Sequence, residues 1–558
     1  MTGRRIDHLL LLARTTRHLQ PAQLAHRARL RAQKAALARF PGAFEARLRR
    51  RLPSHPGWPE DFLPLDRQLA SGFPGAEANA EGRFRFLNEE RRLGRPADWV
   101  QDGASQLWRY HLHYFEWACA FVEHPARPWA SAEFRRLWRS WRDSTSFGKW
   151  DAWSPYVVSL RAWALCDLFG PLVAGTDDEV DFLADIALHA GFVRANLELD
   201  VGGNHLLKNL KALLGLGVFL EDEALVRVGT DHLSRQLEVQ VLADGGHYER
   251  SPSYHCQVLG DLIDIAGLLS SSRRPGSARL HRAIEAMQGW LGAMLLPDGE
   301  VPLFNDCTAV APDRLSLLRP TPAGPARLRV LQPSGYVVMG DGHGLHLVAD
   351  VGPPCPPELP AHAQADCLSF VLSVDGVSVI VDTGTSTYQA GPRRNYERST
   401  RAHNTVEVDG ENQTEVWATF RAGRRANPHL EQAAENAEEA VVVASHDGYE
   451  RLPGRPRHRR TWRLSPGSLE MVDEITGEGG HSVLMSLVLA HGTVCESLDA
   501  SRWRVGRVET TFTGGQVTQE PVEVAREFGR LERTQCLTVT TSGPLPRRLV
   551  TTIAYQSA

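Results

Sequence analysis

Residues 202–214 read Gly-Gly-Asn-His-Leu-Leu-Lys-Asn-Leu-Lys-Ala-Leu-Leu, and this stretch decides how the first half of the chain folds. Its leucines return every three or four residues, at positions 206, 207, 210, 213 and 214. That spacing places all of them on one face of a helix. The two glycines mark a turn ahead of the helix, and Asn204 suits its N-cap. The stretch therefore predicts an amphipathic helix that opens on a polar pair, Asn204 and His205.

The same helical periodicity extends to both sides of this stretch, from about residue 60 to residue 320. Turn signals separate the further segments that show it, which are 105–123, 154–171, 178–198, 222–241, 256–270 and 278–296. Helical segments in such close succession predict an all-α array or toroid.

Beyond a proline-rich segment at 308–328, which we interpret as a linker, the period of the apolar residues changes to two. Phe370–Val374 and Val377–Val381 alternate on either side of Asp375-Gly376, a dipeptide that favours a tight hairpin turn. We therefore predict an α+β multidomain fold, in which an N-terminal (α/α) toroid is followed by a C-terminal antiparallel β-sandwich.

The 62 basic residues nearly balance the 66 acidic ones and leave a net charge of −4. This balance argues against a nucleic-acid-binding protein that works through a globally basic surface. Hydrophobic residues at 42% and charged residues at 23% exclude wholesale disorder. The eight cysteines include no Cys-x-x-Cys pair, so the sequence offers no zinc-ribbon or thioredoxin motif and we expect buried, reduced thiols.

The main charge asymmetry lies in residues 1–51, where 13 Lys and Arg face Asp7 and Glu45 for a charge of +11. We interpret this segment as a basic helical arm, followed by the toroid at 52–320 and the β domain at 321–558. The arm either packs on the next domain or contacts an acidic polymer or an anionic membrane surface, and both interpretations stay open. The apolar run at Leu9–Leu12 is too short for a secretion signal, so we expect a cytoplasmic protein.

Three stretches of the helical half concentrate groups that could carry chemistry: the pair Asn204-His205, residues 244–255 with two tyrosines and two histidines, and Pro302–Asp306 with its polar end. So many ionisable and phenolic groups ahead of an apolar helix indicate the rim of a cleft. A capped helix and ordinary polar loops are the open alternatives.

Polar residues also gather in the β half, where His362, Gln364 and Asp366 alternate along the chain. Alternate residues of a strand face one side of a sheet, so these three are expected to project together, with Asp382 and His403 joining them from neighbouring strands. Imidazole and carboxylate ligands suit Zn²⁺ or Mn²⁺. The alternative is a hydrogen-bonded polar cluster without a metal.

Taken in order, six segments resemble the heparinase II/III-like polysaccharide lyases, which include heparin-sulfate lyases and oligo-alginate lyases: GGNHLLKNLKALL, DGGHYERSPSYH, PLFND, HAQADCLSF, VDTGTSTY and RAHNTVEVDG. The resemblance covers roughly residues 100–450 and implies the same helical-then-β division. It also implies β-elimination on a uronic-acid-containing polysaccharide, such as heparin, heparan sulfate, hyaluronate, chondroitin or alginate, to unsaturated uronate ends.

The resemblance further implies roles for single residues. Asn204 is expected to bind the uronate carboxylate, with His205 beside it to stabilise the developing enolate. Tyr254 is expected to donate a proton to the leaving oxygen and, for one epimer, to remove the C5 proton as tyrosinate. His362 is expected to be the base for the other epimer. Tyr248 is the reserve for Tyr254, because spacing does not separate the two.

At the metal site the sequence departs from the family pattern His-x-His-x-Asp, because Gln364 stands where the second histidine belongs. Asp382 and His403 keep their places, so the implied ligand set is Gln364, Asp382 and His403. A glutamine carbonyl is a weaker ligand than imidazole, which leaves open one divalent metal, zinc or manganese, and no metal at all.

Five residues are candidates for substrate contact: His113, Arg161, Tyr248, His255 and Asn305. A guanidinium such as that of Arg161 can hold a carboxylate or sulfate with two hydrogen bonds. Packing between helices is the open alternative for His113 and Arg161. The expected partner is an acidic polysaccharide or oligosaccharide, with no nucleic acid, no transmembrane segment and no organic cofactor.

Two other classes of function remain open. A non-catalytic or accessory protein of exopolysaccharide biosynthesis that binds acidic glycan would explain the Gln364 departure and the basic arm. A glycoside hydrolase would need two carboxylates, which Asp244, Glu249 and Asp306 could supply.

Overall fold

We analysed a computed structural model of the chain, which describes residues 2–48, 52, 56–69, 75–149, 151–274, 276–324 and 326–555. The helices of this described part are α1 Thr2–Thr16, α2 Pro21–Arg39, α3 Pro41–Leu48, α4 Leu65–Gln68, α5 Ala76–Ala80, α6 Gln106–Tyr114, α7 Cys119–Glu123, α8 Arg127–Ser144, α9 Pro155–Leu172, α10 Glu179–Ala195, α11 Gly203–Phe219, α12 Glu223–Gln240, α13 Pro252–Ser271, α14 Ala278–Met294, α15 Pro312–Leu318 and α16 Pro392–Glu397.

The strands lie mostly after the helices and pair antiparallel throughout. They are β1 Arg83–Phe86, β2 Glu89–Arg92, β3 Leu328–Leu331, β4 Tyr336–Gly340, β5 Leu345–Asp350, β6 Phe370–Val374, β7 Val377–Ile380, β8 Val406–Val408, β9 Val416–Trp417, β10 Arg421–Ala422, β11 Pro428–Glu435, β12 Ala440–His446, β13 Arg457–Ser465, β14 Ser468–Thr476, β15 Gly480–Val488, β16 Cys495–Ser497, β17 Arg502–Val505, β18 Val508–Thr513, β19 Gln516–Glu527, β20 Arg530–Pro544 and β21 Arg547–Tyr555.

These elements form two compact units. The helical unit comprises residues 20–240 and 257–284, and the β unit comprises residues 1–19, 241–256 and 285–558. Three sheets dominate the β unit, with strand orders β3-β4-β5-β6-β7, β11-β12-β13-β14-β21-β18-β17-β16 and β19-β20-β15-β8.

Helix α11, which carries the stretch quoted first, lies inside the helical unit, with every residue from Leu206 to Phe219 buried. Two of the four lysines of the chain are on it. Lys208 Nζ lies 2.7 Å from a carboxylate oxygen of Asp261, and Lys211 Nζ lies 2.6 Å from a carboxylate oxygen of Asp264. Both aspartates are on α13. Buried charges are tolerated when they are paired in this way, so the cluster fixes α11 against α13.

The inner faces of the sheets pack in one apolar core, to which β13 contributes by strict alternation. His458, Arg460, Trp462 and Leu464 are the buried residues of that strand. Arg460 makes two hydrogen bonds to Asp473, at 2.6 and 2.9 Å, and donates to the carbonyl oxygens of Leu368 and Asn404. A buried arginine thereby anchors two loops, beside Asp366 and His403.

The hairpin predicted around Asp375-Gly376 is confirmed, since β6 and β7 pair across it. Asp375 has a φ of 51° and Gly376 a φ of 79°, and two successive residues in the left-handed region are what a tight hairpin turn of this twist requires. The apolar alternation on both sides then sets the register.

The segment that we interpreted as a single basic arm is divided between the two units. Helix α1 belongs to the β unit, where Arg14 pairs with Glu415, whereas α2 and α3 belong to the helical unit. Met1 and residues 49–51 of the predicted arm lie outside the described residues. None of the helices described in the structure is long and apolar enough to cross a membrane.

Candidate active site

Three loops of the β unit converge on His362. They contain Glu249, then Asn305 and Asp306, and then His362 itself, and Tyr254 follows the first of them at the start of α13. Arg250 and Asn305, which adjoin Glu249 and Asp306, have φ values of 57° and 56°. Non-glycine residues seldom adopt this left-handed conformation, and such strain concentrates at functional sites. A hydrogen bond of 3.1 Å from Asn305 Nδ2 to the carbonyl of Arg250 joins the two strained positions.

His362 lies between two carboxylates. Its Nε2 is 3.1 Å from Glu249 Oε2, and its Nδ1 is 3.3 Å from Asp306 Oδ2. Burial lowers the pKa of a histidine, but the hydrogen bonds and charges of Asp306 and Glu249 more than offset it and raise the pKa of His362 to about 9. The side chain is therefore an imidazolium at neutral pH, and both of its nitrogens are engaged.

We expect His362 to titrate near pH 9, which NMR of its ring protons would measure. Its contribution to the free energy of unfolding is fully present below the ordinary histidine pKa of 6.5 and is lost as the pH rises through about 9. Glu249→Gln should lower this pKa because it removes one counter-ion, whereas Glu470→Gln, on a remote strand, should not. A wild-type titration at or below 6.5 would contradict the arrangement.

Asp306 is completely buried and receives hydrogen bonds on both oxygens. Arg394 NH1 and NH2 lie 2.6 Å from Oδ1 and Oδ2, and Gln364 Nε2 lies 2.9 Å from Oδ1. Burial raises the pKa of a carboxyl group, but the Arg394 guanidinium and His362 hold the pKa of Asp306 well below its usual range. Asp306 therefore stays ionised and orients His362.

Tyr254, in the first turn of α13, stacks its ring on the His362 ring, with centroids 3.8 Å apart and 29° between the planes. Its hydroxyl oxygen lies 3.0 Å from that of Tyr388. Burial is the main cause that raises the pKa of Tyr254 well above the ordinary tyrosine value. The phenol consequently keeps its proton at neutral pH and can act as a donor.

A second cluster lies in the helical unit, at the start of α11. Gly202 and Gly203 have φ values of 75° and 57°, in the region that glycine adopts without strain, and they place Asn204 and His205 in the first turn. His205 Nδ1 is 3.1 Å from Glu198 Oε1, and its side chain is 37% exposed. This pairing leaves Nε2 as the nitrogen that can accept a proton.

The metal set of Gln364, Asp382 and His403 stays a prediction, and two of its members contact each other directly. Asp382 Oδ2 is 2.8 Å from His403 Nδ1, and Asp382 Oδ1 accepts a hydrogen bond of 3.0 Å from Gly384 N. Gln364 Oε1, His403 Nε2 and Asp366 Oδ1 are among the buried atoms without a hydrogen-bond partner in the described part of the chain. Within the described ranges, no three His, Cys, Asp or Glu side chains are grouped so as to hold a metal ion. We therefore derive no chemical step through a metal.

His113 and Arg161, two of the predicted substrate contacts, are interior residues at 2% and 0% exposure. Arg161 donates to the carbonyl oxygens of His113 and Ala152 and to His189 Nε2, at 3.1, 2.8 and 2.9 Å. Its guanidinium therefore makes its hydrogen bonds inside the helical unit. The packing alternative describes both residues, and we withdraw them as substrate contacts.

The other three predicted contacts are also buried. His255 accepts a hydrogen bond from His247 N and donates to Met287 O, and burial lowers its pKa to about 3, so it is a neutral structural residue. The Asn305 side chain donates a hydrogen bond to Arg250 O and accepts one from Gln364 N. Tyr248 is 7% exposed. These hydrogen bonds give His255 and Asn305 structural roles, and substrate contact by Tyr248 stays a prediction.

Sequence reasoning missed the residues that orient the candidate catalytic groups. Glu249 and Asp306 were noticed only as a carboxylate pair for a hydrolase, whereas both are counter-ions of one histidine. Asp244, the third carboxylate considered for a hydrolase, accepts hydrogen bonds from Ser334 N, Ser334 Oγ and Gly246 N. Tyr388 lies in a quoted motif without an assigned role, and Arg394 and Glu198 carry no sequence signal of their own.

Comparison with known families matches most of the chain. A model described as "Heparinase II/III N-terminus" matches residues 101–317, and one described as "Heparinase II/III-like, C-terminal" matches residues 323–554. The solved structure titled "Crystal Structure of Heparinase III" superposes with a TM-score of 0.72 at 16% identity, covering 96% of this chain and 92% of that one. This match supports the predicted (α/α) toroid followed by a β-sandwich.

Two curated relatives differ in what their names describe. "FtsZ-localized protein C" of Caulobacter vibrioides (strain NA1000 / CB15N) is 30% identical over 412 residues, covering 70% of this chain and 68% of that protein. "Heparin-sulfate lyase" of Bacteroides stercoris is 25% identical over 390 residues, covering 62% of this chain and 55% of that protein. The chain therefore spans little more than half the length of that lyase.

Proposed function

The chain belongs to the heparinase II/III-like family, and from that premise we propose that it is a polysaccharide lyase that cleaves a uronic-acid-containing polysaccharide by β-elimination. One observation carries the proposal. The protonated phenol of Tyr254 stacks on the His362 imidazolium, which Glu249 and Asp306 hold in place.

In the proposed reaction, a base removes the proton on C5 of the uronate, and the electron pair forms a double bond between C4 and C5. The bond from C4 to the glycosidic oxygen breaks, and Tyr254 gives its proton to that oxygen. Because the pKa of Tyr254 is raised, the group is a proton donor at neutral pH rather than a tyrosinate base. Asn204 keeps the carboxylate-binding role that the resemblance implies.

The hydrogen bonds of His362 favour a role other than that of a base, since both nitrogens face carboxylates. An imidazolium against the Tyr254 ring stabilises the negative charge that develops on the phenol as its proton leaves. We therefore assign His362 to the support of Tyr254. His205 keeps the role beside Asn204 that the resemblance implies, the stabilisation of the developing enolate, and Glu198 Oε1, 3.1 Å from Nδ1, holds its ring in position.

A digestion followed by ultraviolet absorbance tests the proposal. Purified protein would be incubated with alginate, hyaluronate, chondroitin sulfate, heparin and heparan sulfate. β-Elimination creates an unsaturated uronate end that absorbs in the ultraviolet, whereas hydrolysis gives saturated ends. Saturated products, or no products from any of these polymers, would contradict the lyase assignment for them.

Glu198→Gln should lower kcat about 10²-fold, the lower end of what one group that stabilises developing charge contributes. The amide no longer forms the ion pair that holds the His205 ring, so the developing enolate is less well stabilised. Glu223→Gln, on the surface of the same unit, is the matched control. An unchanged kcat for Glu198→Gln would remove His205 from the proposed reaction.

A second candidate function is glycan binding without cleavage. It is favoured by the "FtsZ-localized protein C" relative, which matches 70% of the chain and whose name does not describe an enzyme. Retention of an acidic polymer in a binding assay, with no ultraviolet-absorbing product, would support this function over the lyase.

A further inference from the structure

A short hairpin of the β unit, β9 to β10, presents its tip on a rigid base of buried arginines. Arg398 donates to the carbonyl oxygens of Trp417, Ala418 and Arg421 at 3.3, 2.9 and 3.1 Å, and Arg394 donates to that of Thr419 at 3.1 Å. Both arginines are at most 1% exposed. Arg394 also pairs with Asp306, whereas the hydrogen bonds of Arg398 among the described residues go to carbonyl oxygens alone, so a buried cation is used to hold this hairpin in place.

Helix α1 supports the same hairpin from another side. Trp417 Nε1 donates to Thr15 Oγ1 at 3.0 Å, and Arg14 makes two contacts of 3.0 Å with Glu415. The hairpin is thus held by side chains from two places in the chain, α1 and the C-terminal end of α16. A fixed loop loses little conformational entropy when it binds a ligand.

The side chain at this tip is an exposed aromatic ring. Phe420 is 40% exposed and lies edge-on to Tyr388, with ring centroids 5.1 Å apart. Phe528 packs against Tyr388 at 4.9 Å, and the Arg394 guanidinium lies 5.0 Å from the Tyr388 centroid. The Tyr388 hydroxyl is 3.0 Å from that of Tyr254, so the aromatic surface continues to the proposed proton donor.

We propose that Phe420, backed by Tyr388, is a stacking platform for a pyranose ring next to the one whose bond is cleaved. The C–H groups on one face of a pyranose are apolar and match the face of an aromatic ring, while the sugar hydroxyls stay in water. The subsite rests on the proposed function, which it deepens.

The test compares Phe420→Ala with Phe420→Trp, using Val494→Ala as the control at another exposed apolar side chain of the same unit. For the polymer that the wild type cleaves, we expect Phe420→Ala to raise KM about fivefold to tenfold, the factor that corresponds to one aromatic contact. Its kcat and melting temperature should stay unchanged. Phe420→Trp should keep the wild-type KM, because it keeps the stacking surface.

If the wild type cleaves none of the five polymers, the proposed function fails, and the platform is tested alone by electrophoresis through gels that contain each polymer. Weaker retardation of Phe420→Ala than of Val494→Ala would still support the platform. Where cleavage occurs, equal KM values for Phe420→Ala and Val494→Ala would overturn the platform. Where no cleavage occurs, equal retardation of the two variants, or no retardation of either, would overturn it.

Discussion

Tyr254→Phe should lower kcat by about 10²- to 10⁴-fold, the contribution of a positioned general acid. Phenylalanine keeps the stacked ring on His362 but cannot give a proton to the leaving oxygen. The KM should change little, because the hydroxyl meets the substrate chiefly as the bond breaks. The lost hydrogen bond to Tyr388 should reduce the free energy of unfolding by only about 1 kcal/mol.

Tyr248→Phe is the discriminating control for this prediction. Spacing alone left Tyr248 as a reserve for the same role, but Tyr248 is 7% exposed and Tyr254 is the tyrosine that stacks on His362. Initial rates of ultraviolet-absorbing product would separate the two tyrosines. Full activity in Tyr254→Phe would show that Tyr254 is not the acid. A loss of activity in Tyr248→Phe alone would assign that role to Tyr248.

The order of helices and strands follows from the sequence because periodicity and burial have the same cause. The leucines of α11 and the alternation around Asp375-Gly376 each indicate a buried face, and both elements form where the pattern predicts, although α11 is buried on all sides rather than amphipathic. The division of the basic segment between the two units does not follow from the sequence. The basic residues of α1 to α3 indicate that these helices face water, but they do not indicate which unit each helix packs on. That depends on contacts such as the one between Arg14 and Glu415, which are 401 residues apart in the sequence.

The candidate site was only partly predictable for a related reason. Tyr254 and His362 stand in recognisable motifs, whereas Arg394 matters because of a contact with Asp306 that spans 88 residues. Arg161 shows the opposite error. A guanidinium in a helix has the same residue type whether it meets a substrate or, as here, three acceptors inside the fold, and only burial separates these cases.

Arg394→Met should lower the free energy of unfolding by about 3–5 kcal/mol at neutral pH, as expected when one partner of a buried ion pair is removed. Asp306 would remain fully buried without its guanidinium, and its pKa would rise. A carboxyl group with a depressed pKa stabilises the fold above its unfolded pKa of about 4, and that stability is lost on acidification. The deficit of Arg394→Met should therefore shrink as the pH falls below about 4, which chemical denaturation at several pH values would measure.

Arg460→Met is the matched control, because Arg460 makes an equally buried pair with Asp473 away from His362. Both variants should lose stability, but only Arg394→Met should lower the pKa of His362 and the kcat of the folded protein, since Asp306 then no longer holds a full negative charge at Nδ1. The double variant Arg394→Met/Asp306→Asn should lose less stability than the two single variants added together, because each single change leaves one charge unpaired. Additive losses, or an unchanged His362 titration in Arg394→Met, would show that Arg394 supports the fold without orienting the site.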